Sequence, residues 1–103
     1  MPRLRTHPGE VLAEEYLKPL GLSARALGEA IGVAPNRVSE IARGRRDMSA
    51  DTAIRLGRYF DVDPRFWLNL QAAFDLSKAE SEHDYSSVRK RSPANPKTSS
   101  IVE

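Results

Sequence analysis

The chain has 103 residues, no cysteine and a net charge of +2. That length holds one domain with a modest core, and the missing thiols exclude disulfides and cysteine metal sites. The basic start MPRLRTH leads into no apolar stretch, and no run approaches membrane-spanning length, so a soluble cytoplasmic chain is expected.

Taken in chain order, the sequence predicts helices only. Pro8 opens a first helix to about Leu17, ending before Pro19, with Val11, Leu12 and Tyr16 inward. Ser23 caps a short second helix carrying Leu27 and Ile31 at i, i+4, and Gly32 breaks it. Pro35 opens a third, with Val38 and Ile41 facing the core and Gly44 closing it. Ser49 caps a fourth with Asp51 in its first turn and Ala53, Leu56 and Phe60 at helical spacing. Asp63 and Pro64 start a fifth bearing Phe66, Trp67, Leu70, Ala73 and Phe74. From Ser77 the text turns polar and reads as solvated. The expected division is a helical domain over 1–80 and a flexible tail over 81–103.

The second and third helices follow helix-turn-helix grammar. Gly28 permits close approach, Gly32 makes the turn, Val33 follows it, and Val38 and Ile41 anchor the second helix across the first. The outward set is Asn36, Arg37, Ser39 and Glu40. Asn and Arg pair bidentately with adenine and guanine edges, and Glu accepts from cytosine. Arg43, Arg45 and Arg46, in the turn behind, suit phosphates. Residues 23–46 carry five arginines against Glu29 and Glu40, the largest positive excess in the chain. Solvation of a polar helix face, or cations at a helix C-terminus, would explain each piece alone. The ordered combination points to double-stranded DNA.

Two further surfaces suggest partners. The fifth helix has more apolar surface than one side of a helix needs. Phe66 and Leu70 divide between core and interface, while Trp67 and Phe74, with Leu70 beside them, are expected at a homodimer seam. Asn69 and Gln71 are expected in solvent. Glu10, Glu14 and Glu15 give the first helix an acidic edge, explained either by solvation or by a basic partner.

HPGEVLAEEYLKPLGLS, IGVAPNRVSEIARGRR and DTAIRLGRYFDVDPRFWLNLQAAFDL together resemble the HigA family of antitoxins, within the phage-repressor-like (lambda-repressor-like) helix-turn-helix group. The similarity covers roughly residues 7–80. It implies an all-α, five-helix dimer encoded beside a HigB-type toxin, a ribosome-dependent mRNA-cleaving ribonuclease. Family members bind the toxin to silence it and bind palindromic operators to repress their own operon. Two positions depart from the pattern. Ala24 stands where many relatives have Gln, and Ala34 where Ser or Thr often precedes the recognition helix. The lost phosphate contacts then fall to Ser23, Arg25 and the Arg43–Arg46 group. Toxin binding falls to Glu10, Glu14 and Glu15, because the tail is polar and net positive and so repels a basic ribonuclease.

Enzymatic readings find no footing. His7 and His83 lack metal-ligand spacing, and no nucleophile elbow or phosphate-cradling loop is present, so no cofactor, small-molecule substrate or membrane is expected. The alternatives to an antitoxin are a helix-turn-helix regulator without a toxin and a protein-interaction module that has dropped DNA.

Overall fold

A computed structural model describes residues 6–91. It is all-helical over those residues, with five helical segments and no strand among them. The first helix, α1, joins an α turn at Pro8–Val11, a π turn at Leu12–Leu17 and a closing α turn at Lys18–Leu20. The others are α2 (Ala24–Ile31), α3 (Pro35–Ala42), α4 (Ala50–Phe60) and α5 (Pro64–Glu82).

The caps expected from the sequence are formed. Ser23 Oγ accepts from the Ala26 N–H at 3.0 Å, Ser49 Oγ from Thr52 at 3.2 Å, and Asp63 Oδ1 from Arg65 at 2.9 Å. The Arg65 N–H bond, then the Arg65 side chain, holds the Asp63 carboxyl below its ordinary value. Four helix ends close with an N–H that reaches back five residues, Leu22 to Leu17, Val33 to Gly28, Arg45 to Glu40 and Val62 to Gly57. At three of them Gly21, Gly32 or Gly44 takes the left-handed backbone, and at the fourth Asp61 does, with φ of 57°.

Leu12, Leu27, Val38, Ile41, Leu56 and Trp67 fill the core. α2 packs on α3 and α4, while α1 lies against α3 and α5. Gly28 admits α3 as expected, since a Cβ there would stand 3.1 Å from the Val33 carbonyl oxygen.

Four expectations need correction. α1 does not stop before Pro19. In the π turn the Lys18 N–H reaches back to the Ala13 carbonyl, so one extra residue is taken up just ahead of the ring, and the helix passes through it to Gly21. The solvated tail does not begin at Ser77. Ser77 is buried on α5, which continues to Glu82. Beyond it, residues 83–91 are exposed and form no helix or strand, and residues 92–103 of the expected tail lie outside the described residues.

Trp67 is not at a seam. It is 0% exposed within its own chain, with Tyr16 at 5.2 Å and Phe66 at 5.0 Å between ring centres. Leu70 and Phe74 are half-buried, and Phe74 sets its ring against His7 at 4.9 Å. Gln71, expected in solvent, is buried. Its Oε1 accepts from the Met48 N–H at 2.6 Å, and its Nε2 donates to Asp47 and Asp75.

Candidate nucleic-acid interface

The candidate surface is built on α2, α3 and the loop behind them. Pro35 starts α3 without a side-chain cap from Ala34; Pro35 has no N–H to satisfy, and the Arg37 N–H turns back to the Ala34 carbonyl at 3.0 Å. Val38 and Ile41 bury one stripe, and Asn36 stands fully outward on the other. Ser39 is turned back, its Oγ donating to the Asn36 carbonyl at 3.1 Å.

The charged members divide into free and paired. Arg43 and Arg45 are exposed, and no carboxylate pairs with them among the described residues. Arg46 closes on Glu40, with its Nε at 2.9 Å and an Nη at 2.8 Å from one carboxylate oxygen. Arg37 is half-exposed and approaches Asp51 at 3.6 Å. Asp51 also accepts from Arg55 Nε at 2.9 Å, and Arg55 caps the end of α2 through the Ile31 carbonyl at 2.8 Å. Arg25 stays highly exposed in a loose pair with Glu29 at 3.6 Å. Ser23 spends its oxygen on the α2 cap.

The nine residues expected at DNA therefore lie on one structural unit, α2 through the following loop. Asn36, Arg43 and Arg45 are ready to contact a ligand. Arg37, Glu40 and Arg46 each face an internal partner.

Sequence reasoning missed what holds this unit in place. Gln71 ties the Asp47–Met48 loop, just behind the arginines, to α5. Its spacing was a usable signal: it lies four residues after Trp67 and so on the same helix face. His7 caps α1, its Nδ1 accepting from the Gly9 N–H at 2.9 Å. That leaves the proton on Nε2, which is buried without a partner among the described residues. Burial lowers the His7 pKa from its ordinary value, against the opposing pull of Asp47 and Asp75. A Cβ on Gly9 would collide with the Ile41 carbonyl, so only glycine lets α1 press this closely on the end of α3.

The acidic edge of α1 adjoins the same unit. Glu10 and Glu14 share a cleft with His7, Arg43 and Gly44. Glu14 pairs with Lys18 at 2.6 Å, while Glu10 and Glu15 are exposed.

Comparison with known proteins agrees with this architecture. The helix-turn-helix family model matches residues 14–67. Virulence-associated protein I of Dichelobacter nodosus is 58% identical over 76 residues, covering 74% of this chain and 70% of its own. Antitoxin HigA-1 of Vibrio cholerae is 44% identical over 68 residues, covering 66% and 64%. The solved structure of antitoxin GraA in complex with its operator superposes with a TM-score of 0.83 at 46% identity, covering 89% of this chain and 96% of GraA. This chain belongs to the HigA family of helix-turn-helix antitoxins. The HPGE start that carried the family resemblance now has a physical reading in this HigA-family chain: a histidine cap, a proline opening, and a glycine at the α1–α3 contact.

Proposed function

We propose that the chain is the antitoxin of a type II toxin–antitoxin pair, acting in the cytoplasm as a homodimer. It neutralises a HigB-type mRNA-cleaving ribonuclease and represses its own operon by binding a palindromic operator. It takes no part in catalysis and needs no cofactor. The observation that carries the DNA half is the outward face of α3, with Asn36 exposed and Arg43 and Arg45 unpaired behind it. A relative solved on its own operator supports the same use of this fold.

For the toxin half, Glu10, Glu14 and Glu15 supply an acidic edge on the folded domain, matched in sign to a basic ribonuclease. The test is co-expression with the adjacent reading frame, followed by pull-down and growth rescue. Deleting residues 84–103, beyond α5, should leave toxin binding and rescue within a few-fold of the intact chain. A truncated protein that folds and binds operator but no longer rescues growth would place the toxin on the tail. Absence of a salt-dependent shift with the upstream operon sequence would remove the repressor role.

A further inference from the structure

The arginine loop that follows α3 is fixed at its two ends by different means. At its start the Arg45 N–H returns to the Glu40 carbonyl at 2.8 Å. From Arg46 to Met48 no N–H reaches a backbone carbonyl among the described residues. Met48 is buried, and its N–H is taken by the Gln71 side chain of α5 instead.

The Gln71 amide has one orientation. The Met48 N–H only donates, and the Asp47 and Asp75 carboxylates only accept. Oε1 therefore faces the loop backbone and Nε2 faces both carboxylates, at 3.2 and 3.0 Å. Holding a buried N–H requires an acceptor alone. The donor end has a separate effect: it draws Asp47, an exposed residue next to Arg46 and two residues from Arg45, toward α5. Two like charges beside one amide oppose each other, so Asp47 stays there only while Nε2 donates to it.

The arginines feel the result. Arg46 already faces Glu40 at 2.8 Å, while Arg43 and Arg45 stand exposed with no carboxylate among the described residues. For a released Asp47, Arg45 is the nearest unpaired cation along the chain. Pairing there would occupy a guanidinium that a phosphate needs.

We propose that Gln71 is a positioning residue for phosphate binding. It pins the loop at Met48 and withholds Asp47 from Arg45, so that Arg45 stays open to the DNA backbone. The proposal rests on the DNA-binding half of the functional reading and gives α5 a part in it.

Duplex binding over a salt series, on the upstream operon sequence and on an unrelated sequence, tests this. Gln71→Met, similar in length and without charge, should weaken both duplexes by about tenfold and lower the salt slope by about one unit, with helical circular dichroism retained. Adding Asp47→Asn to that variant should return the slope to the wild-type value. Asp47→Asn alone should change it little, because its side-chain oxygen still accepts from Gln71. A loss in Gln71→Met that Asp47→Asn does not repair would make Gln71 purely structural and overturns the proposal. So does a folded Gln71→Met protein with the wild-type slope, or an equal gain from Asp47→Asn in both backgrounds. If Gln71→Met unfolds, Gln71→Glu keeps an acceptor for Met48, loses the donor, and carries the same cycle with the same readings. A wild type that shifts neither duplex overturns the functional reading and this proposal together. One that shifts both equally overturns sequence-specific repression and leaves the role of Gln71 standing.

Discussion

His7 combines a cap, a ring contact and a buried N–H in one side chain. Protonating Nδ1 removes the acceptor that holds the Gly9 N–H and places a charge where burial already disfavours one. The folded protein thus binds this proton less readily than the unfolded chain does. Its stabilisation is fully present above the ordinary histidine pKa of 6.5, declines as pH falls below that value, and levels off beneath the lowered folded pKa. His7→Asn keeps a cap acceptor without a titrating ring. Denaturant midpoints measured from neutral to mildly acidic pH should fall for the wild type and fall less for the variant. Equal slopes would show that another group governs the acid limb.

At the scale of elements, the proposed DNA-binding unit would divide labour between α3 and the loop behind it. Under the proposed function, Arg37→Ala should weaken specific operator binding by about 1–3 kcal/mol and relax the preference at one base pair per half-site. Arg45→Ala should instead weaken all sequences alike and lower the salt slope by about one unit. Competition binding on operator variants separates the two, and uniform weakening by Arg37→Ala would make it a phosphate contact. Elements of this kind were legible in the sequence because their signals are local. Ser23, Ser49, Asp63 and Pro35 each act within three residues of themselves, and Val38 and Ile41 announce their stripe by spacing. The rest was hidden because it depends on distant chain. Gln71 looks like a surface amide until the Met48 N–H, 23 residues away, is brought to it. Pro19 looks like a stop until a π turn makes room ahead of it. Trp67 and Phe74 seemed too much apolar surface for one helix, because nothing local reveals that Tyr16 and His7 come to meet them.

For the whole molecule, Trp67 is the keystone that joins α1 to α5. Trp67→Ala should cost about 3–5 kcal/mol, a large share of the stability of so small a domain. Thermal unfolding checks this, and a loss below about 1 kcal/mol would mean the core closes over the gap. The molecule's charges lead to a different consequence. Arg25, Arg37 and Arg46 each face a carboxylate of their own chain, at Glu29, Asp51 and Glu40. An arginine that leaves such a pair for a phosphate strands an anion behind it, and that anion recruits a cation from solution. Ion uptake by the protein then offsets part of the ion release from DNA. Operator affinity should therefore fall less steeply with salt than a count of arginines implies, and Glu40→Gln should steepen it. Under the proposed function, these internal carboxylates temper the response of operator binding to the ionic strength around the protein without abolishing it.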